Sequence, residues 1–354
     1  MRIFLITFLL IFYAHSEEIT LLLGTHDEAG SEGLYIIKFD SKNLKLSKPE
    51  LVEKAPGTTV VRTTGNGRFY SAGGNENGGV LKSFEHLIKS SEIDSFPKQP
   101  CYISLDKSGR FLFTANIQGD SISCFRLDSN GALKTKVQDL VIKPIGKAFR
   151  PHSVIPSPDN KFLFVADIAG RRIYRIAFNS TSGQMNYEGD ITSNNFVGPR
   201  HIIFDEGGKY FYLMNQMGGA VTVFEYSPTG NLKEVQHVSS LPADFIGKNH
   251  SADLRIHPTG KFLYCSNRGP DSLTLFKRDL LTGKLAFVET VSSGGNAPWS
   301  FVICPQGKFL FCTNKMSNNV VVFEIDKVDG RLTRTAVEMK VQAPVSIEIL
   351  SGNR

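Results

Sequence analysis

The sequence predicts an all-β chain folded as a seven-bladed β-propeller with four antiparallel strands in each blade. The first observation is a repeated unit, whose clearest copy is Pro258–Asn267 (PTGKFLYCSN). The second is the alternation of apolar and polar residues, without helical periodicity, throughout each unit. A repeat period of about 50 residues is typical of propellers and solenoids. Four antiparallel strands in a unit of this size indicate a propeller blade.

Each copy of the unit centres on an aromatic residue, which we call the anchor. The anchor follows a turn and opens the second strand of the unit. Five copies carry another aromatic residue two positions later, so both rings are expected on one face of the strand. A third strand, a turn containing glycine and a more polar fourth strand complete the unit. The anchors of the six blades identified this way are Phe69, Phe111, Phe162, Tyr210, Phe262 and Phe309.

The seventh blade is predicted to be split between the two ends of the chain. Its second, third and fourth strands are expected at Ile19–Thr25, Gly33–Phe39 and Leu44–Leu46. Its first strand is expected at Ala343–Leu350, because the letters APVS there resemble the start of another repeat, APWS at Ala297–Ser300. Pairing of the two ends would close the ring and leave no exposed inner edge.

Residues 1–16 are predicted to be a signal peptide. Met1–Arg2 is a short charged start, the apolar run Ile3–Tyr13 is too short to span a membrane, and Ala14–Ser16 offers a cleavage site. We therefore expect residues 17–354 to form one secreted domain without a membrane segment. Two sequons, at Asn179 and Asn249, are predicted glycosylation sites that fit this route, the alternative being chance occurrence.

The composition argues against nucleic-acid binding and against a metal site. The net charge of +6 is small, and the basic residues are scattered as on a solvated surface. The five cysteines include no CxxC pair, which favours buried thiols over a zinc site or a disulfide framework. The eight histidines lack HxH or HxxxH spacing. The sequence thus predicts neither a metal nor a cofactor.

Candidate functional residues come from the expected strand register. If the residue five before the anchor (position −5) pairs with the anchor, position −10 pairs with +5. Positions −10 and +6 then meet at one end of each blade, around the mouth of the central channel. Position +5 is Asn or Asp in five blades, and this repetition indicates a structural role in binding loop backbone.

The residues at positions −10, −9 and +6 differ between blades and include several cations. Repetition of a structural role does not explain residues that vary. Converging cations indicate an anionic or carbonyl-bearing ligand. The alternative is that they form rim salt bridges with Asp167, Asp253 and Asp120. The candidates are His152, Arg200 and Trp299 at −10, His201 and Asp253 at −9, and Gln216, Arg268 and Lys315 at +6.

The sequence resembles the seven-bladed lactonase family, which contains propeller-type 6-phosphogluconolactonases and carboxy-cis,cis-muconate cyclases. The resemblance extends from Ile19 to Leu350. It rests on several short motifs that together are far more specific than a generic propeller repeat. These motifs are Gly24–Thr25 followed by Gly33–Tyr35, RPHS at Arg150–Ser153, GPRH at Gly198–His201, SADLR at Ser251–Arg255 and SNRG at Ser266–Gly269.

The resemblance implies a site with one His, two Arg and one Glu at a mouth of the channel. The His corresponds to His152, and the two arginines correspond to Arg200 and Arg268. The Glu position is occupied by Gln216, so the carboxylate is lost. The family also often has Arg where this chain has Trp299.

Two functions are compatible with these residues. The first is a metal-independent hydrolase that opens a small sugar-acid lactone, with Arg200 and Arg268 stabilising the oxyanion and His152 activating water. The second is a secreted propeller that binds an anionic small molecule or a protein partner and has lost catalysis. Gln216 favours the second, because an amide cannot exchange protons near neutral pH. Secretion favours a non-phosphorylated lactone, since phosphogluconolactone is a cytosolic metabolite.

Overall fold

The computed structural model describes residues 18–55, 57, 59–75, 78–96, 100–143 and 148–350. The described chain is almost entirely β-strand, with one single-turn 3-10 helix at Glu28–Gly30. In these ranges no helix is both long and apolar enough to cross a membrane. The predicted signal peptide lies outside the described residues, so it and the boundary of the mature domain stay predictions.

The strands are defined here in chain order. They are β1 (Glu18–Thr25), β2 (Gly33–Asp40), β3 (Lys45–Leu46), β4 (Glu50–Lys54), β5 (Val60–Gly65), β6 (Arg68–Asn75), β7 (Gly78–Glu85), β8 (Ile88–Phe96), β9 (Pro100–Leu105), β10 (Phe111–Asn116), β11 (Ser121–Leu127), β12 (Leu133–Leu140), β13 (Pro151–Pro156), β14 (Phe162–Asp167), β15 (Arg172–Phe178), β16 (Met185–Ile191), β17 (Pro199–Phe204), β18 (Tyr210–Asn215), β19 (Ala220–Tyr226), β20 (Leu232–Ser239), β21 (His250–Ile256), β22 (Phe262–Arg268), β23 (Ser272–Arg278), β24 (Leu285–Ser292), β25 (Pro298–Ile303), β26 (Phe309–Asn314), β27 (Asn319–Ile325), β28 (Leu332–Lys340) and β29 (Pro344–Leu350).

These strands form seven antiparallel sheets, which are the blades of a propeller. Blades 1 to 6 each contain four consecutive strands, from β5–β8 to β25–β28. Blade 7 is the split blade, in which β29 pairs with β1 and β1 pairs with β2. The seven-bladed prediction and the closure by both chain ends are confirmed. The fourth strand of blade 7 differs, because it is broken into β3 and β4 around Pro49, which has no backbone N–H to donate.

The hydrophobic core lies between the blades. The described residues contain seven apolar clusters, and each is shared by two neighbouring blades. Phe111 and Phe113 of blade 2 pack against Leu163 of blade 3, whereas Leu112 faces blade 1. The anchor and the aromatic residue two positions later therefore share a face, as predicted. Both faces of every blade are buried, so each blade depends on its neighbours.

The repeated turn glycine packs against the anchor ring of the preceding blade. Each of four such glycines has a positive φ, between 69° and 85°. A Cβ atom there would also lie within 2.3 to 3.0 Å of a ring carbon of the anchor, so glycine is required on both counts. The pairs are Gly183 with Phe111, Gly230 with Phe162, Gly283 with Tyr210 and Gly330 with Phe262.

The Asn or Asp at position +5 binds backbone at the channel end of its blade. The Oδ1 of Asp167 accepts hydrogen bonds from the N–H groups of Arg150 and Gly170, both at 3.0 Å. The Nδ2 of Asn314 donates to the Ser293 carbonyl at 3.1 Å. The predicted binding of backbone at position +5 is confirmed for Asp167, Asn215, Asn267 and Asn314, and Asp167 is engaged by its own loop rather than by a rim cation. In blade 2 the side chain of Asn116 instead contacts the hydroxyl groups of Thr114, Ser121 and Ser123.

The cysteines and the two sequons lie in different surroundings. All five cysteines are free thiols and four of them are buried, as predicted. Asn179 is exposed in a turn, where its Oδ1 accepts from the Thr181 N–H at 2.9 Å. Asn249 is only 7% exposed, and its Nδ2 donates to the Gln216 carbonyl and to Ser251 Oγ. A glycan on Asn249 would require this loop to open, and its attachment stays a prediction.

Candidate active site

The inner strands of most blades begin with a proline followed by a β-bulge. In blades 2, 3, 4 and 6 the proline at position −11 pairs with the residue at +5, and the next residue is unpaired. The predicted pairing of −10 with +5 is therefore wrong by one residue. Proline cannot donate a ladder hydrogen bond, and a bulge accommodates the extra residue at this point. The unpaired residues are Cys101, His152, Arg200 and Trp299, with Val345 in the same place in blade 7.

The bulges bring two consecutive residues of a strand to one cavity. In a regular strand, adjacent side chains point to opposite faces. Here the unpaired residue and the residue after it both line the cavity, as Arg200 and His201 do in blade 4. The cavity has a volume of about 220 Å³ and lies at the channel end of the inner strands. Five of the eight predicted site residues line it, namely His152, Arg200, His201, Asp253 and Trp299.

Arg200 is held from one side of its guanidinium. Its Nη1 donates to the Ala252 carbonyl and lies 3.1 Å from His201 Nε2. The other ring nitrogen of His201, Nδ1, is 3.0 Å from Asp253 Oδ1. Arg200 itself is only 2% exposed, and its Nε has no hydrogen-bond partner within the described chain. The Asp253–His201–Arg200 chain therefore fixes one end of the guanidinium.

His152 lies beside the hydrogen-bonded series Asp253–His201–Arg200. Its ring is 5.3 Å from the ring of His201, centroid to centroid. Its buried Nδ1 makes no hydrogen bond to any residue that the structure describes. Burial, followed by the charge of Arg200, lowers the pKa of His152 well below its ordinary 6.5. His152 is therefore a neutral imidazole at neutral pH and can accept a proton.

Arg268, Gln216 and Lys315 do not line the cavity but form a second group beside Trp299, which does. The Arg268 guanidinium lies over the Trp299 ring, 4.1 Å from its centroid. Its Nη2 donates to Gln216 Oε1 at 3.1 Å, and its Nε donates to the His250 carbonyl at 2.7 Å. Lys315 Nζ is 5.0 Å from the Trp299 centroid and forms an ion pair with Glu28 at 3.0 Å.

Arg200 and Arg268 both remain without a carboxylate partner. Among the described residues, neither is within 4.0 Å of an Asp or Glu oxygen, and all their acceptors are neutral. Burial lowers the pKa of Arg200 to about 10 and that of Arg268 to about 9, so both stay charged at neutral pH. The predicted alternative, salt bridges from the rim cations to Asp167, Asp253 and Asp120, is therefore not found among the described residues for Arg200 and Arg268, and Lys315 pairs with Glu28 instead.

Three ionic residues deeper in the channel escaped the sequence interpretation. Arg62 Nη1 is 2.8 Å from Glu348 Oε1, and Arg255 Nη2 is 3.4 Å from both Glu348 and Asp253. Burial opposes these charges, yet Asp253 and Glu348 raise the pKa of Arg255 above its ordinary value. All three residues line the cavity. Arg62 and Arg255 occupy position −7, and Glu348 occupies the equivalent position in blade 7. Side chains two residues apart on a strand share a face, so position −7 faces the same way as position −9, and this alternation could have identified the three residues.

The ionic groups of the cavity stabilise one another without forming an evident metal site. Although burial opposes ionisation, Arg255 and His201 hold the pKa of Asp253 far below its usual range. Across the described ranges, no cluster of three or more His, Cys, Asp or Glu side chains is placed to hold a metal ion. The cavity thus contains Arg200 and the neutral His152, and Arg268 lies beside it over the Trp299 ring.

The closed ring of seven four-stranded blades, with a charged cavity lined by its inner strands, defines a seven-bladed propeller. A family model described as "Lactonase, 7-bladed beta-propeller" matches residues 20–349, and the chain belongs to this family. The 6-phosphogluconolactonase of Bacillus subtilis is 31% identical over 293 residues, covering 79% of this chain and 83% of that protein. The 6-phosphogluconolactonase of Formosa agariphila is 28% identical over 298 residues, covering 78% and 84%.

Solved structures agree with this membership. The periplasmic gluconolactonase of Pseudomonas aeruginosa superposes with a TM-score of 0.86 at 26% identity, covering 94% of this chain and 99% of that one. The resemblance expected from the sequence motifs is confirmed.

Proposed function

We propose that this protein is a lactonase that hydrolyses a small, non-phosphorylated sugar-acid lactone in the Arg200–His152 cavity, without a metal ion. The observation that carries the proposal is the state of three side chains. Arg200 and Arg268 are cations with neutral acceptors only, and His152 is a neutral imidazole without a side-chain hydrogen bond within the described chain. Buried polar groups left in this state are expected to receive a ligand.

The proposed reaction uses each of these groups once. A water oxygen attacks the lactone carbonyl carbon while His152 accepts one of the water protons. The resulting oxyanion is stabilised by the guanidinium groups of Arg200 and Arg268, which cannot lose their protons during the reaction. The bond from the acyl carbon to the ring oxygen then breaks, and the ring oxygen takes the proton back from His152. The product is a hydroxy acid, which releases one proton to solvent.

Gln216 is proposed to orient Arg268 rather than to transfer protons. Its Oε1 accepts from Arg268 at 3.1 Å, and an amide does this without neutralising the guanidinium. The mouth of the site is therefore more positive than it would be with a carboxylate at this position. This favours binding of an anionic or strongly polarised carbonyl oxygen.

The choice of a non-phosphorylated lactone rests on the proposed secretion of the protein. We propose that residues 1–16 direct secretion, which would separate the protein from cytosolic phosphorylated sugars. The similar protein of Pseudomonas aeruginosa is described as a periplasmic gluconolactonase, which supports this choice. Expression of the full chain in a secreting host, followed by N-terminal sequencing of the product, tests secretion and cleavage of residues 1–16 independently of activity.

A panel of lactones assayed by proton release tests the function. We expect hydrolysis of an unphosphorylated aldonolactone, and weaker or no hydrolysis of its phosphorylated form. Arg200→Ala should lower kcat by about 10²- to 10³-fold, the usual loss for an oxyanion donor. Arg331→Ala is the matched control, because Arg331 is half-exposed and pairs with Glu289 outside the cavity. Equal turnover by wild type and Arg200→Ala would contradict the proposal.

Gln216→Glu separates a lactonase from a propeller that only binds an anion. In a lactonase the new carboxylate stays ionised beside Arg268 and can orient water or assist His152. We then expect faster hydrolysis, up to about a hundredfold, and loss of the gain when His152→Ala is added. If the protein only binds an anionic ligand, the same change lowers affinity and hydrolysis stays at background. That second outcome would overturn the proposed reaction.

A further inference from the structure

Asp253 and His201 lie directly behind Arg200, and their geometry fixes which nitrogen of His201 carries hydrogen. Asp253 Oδ1 is 3.0 Å from His201 Nδ1, and a carboxylate can only accept at this point. The Nδ1 must therefore carry the hydrogen. Arg200 Nη1 lies 3.1 Å from His201 Nε2 and 3.4 Å from Nδ1 and can only donate, and with the hydrogen on Nδ1 the Nε2 is the ring nitrogen able to accept. The Nε2 must therefore carry the lone pair.

This arrangement excludes a protonated His201. An imidazolium has a hydrogen on both nitrogens, so its Nε2–H would face the N–H of Arg200. The His201 ring also contacts the rings of Tyr102 and His152, at centroid distances of 5.3 Å each. Burial, followed by the charge of Arg200, lowers the pKa of His201 to about 3. Because Asp253 and Arg200 engage both of its ring nitrogens, His201 has no free nitrogen to take a proton from water, unlike His152, whose Nδ1 has no hydrogen-bond partner among the described residues.

Asp253 is itself fixed from several sides. Its Oδ2 accepts from Ser300 Oγ at 3.0 Å and lies 3.4 Å from Arg255 Nη2. Its Oδ1 also accepts from the Leu254 N–H at 3.0 Å. The side chain is thus held in one orientation, with only 4% of the residue exposed.

We propose that Asp253 and His201 are positioning residues, which hold Arg200 for the oxyanion, rather than groups that touch the substrate. Asp253 selects the Nδ1–H form of His201, and His201 Nε2 then binds one Nη1 hydrogen of Arg200. The Ala252 carbonyl binds Nη1 as well. Nη1 is therefore fully used by the protein, and Nη2, which has no partner among the described residues, remains for the ligand. This inference rests on the proposed lactonase function for its role in catalysis, but not for its geometry.

The tautomer can be measured without any substrate. Two-bond proton–nitrogen correlation spectra of histidine-labelled protein at neutral pH distinguish the two neutral forms from the imidazolium. The His201 signals are assigned by their disappearance in His201→Gln. We expect the Nδ1–H form in wild type and an increased share of the Nε2–H form in Asp253→Asn, whose amide can donate. An Nε2–H form or an imidazolium in wild type would overturn the inference.

The role in catalysis is tested by two replacements of His201. Glutamine can donate to Asp253 and accept from Arg200, whereas leucine can do neither. We expect His201→Gln to keep kcat within about tenfold of wild type, as for one weakened hydrogen bond. His201→Leu should lose about a hundredfold, mainly in kcat and with little change in KM.

The outcomes separate this inference from the proposed function. If both variants fold and are equally inactive, His201 supplies imidazole chemistry and the positioning role is wrong. If both keep full activity, Arg200 does not need His201 and the role is again wrong. If no lactone is hydrolysed by wild type, the proposed function fails, and the wild-type and Asp253→Asn spectra alone decide whether Asp253 sets the tautomer.

Discussion

Strand β29 closes the ring, and Ile347→Ala tests that closure without shortening the chain. Ile347 is fully buried, pairs with Leu23 of β1 and packs in the cluster between blades 6 and 7. Ser346 Oγ also accepts from the Val61 N–H at 3.2 Å, which joins β29 to blade 1. A cavity at Ile347 therefore weakens the blade on which both ends of the ring depend.

The expected loss follows from burial. An Ile→Ala change at a fully buried position costs about 2–5 kcal/mol, from lost transfer energy and the remaining cavity. Deleting all residues after Gln342 removes Val345, Ile347 and Leu350, which are only 4%, 0% and 8% exposed. At about 1.5–3 kcal/mol each, these side chains contribute about 5–9 kcal/mol, comparable with the whole stability of a typical domain. We therefore expect the truncated chain to be insoluble.

Urea unfolding followed by fluorescence measures the effect in Ile347→Ala. The matched control is Ile246→Ala, because Ile246 is 96% exposed and should change stability by no more than about 0.5 kcal/mol. A loss as small in Ile347→Ala as in Ile246→Ala would refute the closure argument. So would a soluble truncated protein whose melting temperature equals that of wild type.

Three further predictions concern the cavity. The pKa of His152 is lowered well below 6.5, so its imidazole stays neutral in mild acid. If His152 is the base, kcat/KM should fall on the acid side with a midpoint clearly below pH 6.5. A midpoint at or above that value would exclude it as the base. His201 stays neutral down to about pH 3 in the native state, whereas the unfolded imidazole is protonated near 6.5. The unfolded state then binds more protons across this window, so stability falls as the pH falls. Between pH 7 and pH 4 the free energy of unfolding should fall by about 3 kcal/mol less in His201→Gln than in wild type, as measured by urea unfolding. Trp299→Leu removes the ring under Arg268 and should raise KM about two- to tenfold, in line with a cation–π contact, with kcat less affected.

The fold was predictable because the same physical requirement recurs in every blade. Each anchor must be buried against the next blade, and each turn glycine must leave room for the anchor ring, as Gly183 does for Phe111. These requirements restrict residue type at fixed spacings, so they appear in one sequence without any alignment. The split blade was predictable for the same reason, since Pro344 opens β29 as Pro298 opens β25.

The position of the bulges could not be obtained from the same pattern. Regular alternation predicts that Arg200 and His201 face opposite sides of the strand. The bulge after Pro199 places both in the cavity, and only the pairing partners of the strand show it. The proline before each unpaired residue was visible in the sequence, and it is the signal that a regular register fails there.

The deeper ion pairs were missed for a different reason. Arg255 and Glu348 are far apart in the sequence and belong to different blades, so neither has a local pattern that predicts the other. Their shared position becomes apparent only when blade 7 is aligned with the complete blades through its opening proline. Charged residues on an inner strand are then expected in the channel, where they need partners.

Structural residues and candidate site residues occupy different positions of each repeat, which explains why the candidate site residues lie where the repeat varies. The anchor, and position +5 in the five blades where it is Asn or Asp, are constrained by contacts of the blade itself, so their replacement is expected to cost stability. The bulged residue has no ladder partner, and its replacement leaves the hydrogen bonds of the sheet intact. Cys101, His152, Arg200 and Trp299 can therefore differ around the ring at little cost to stability. The same argument predicts that exchanges at these positions alter ligand preference before they alter folding.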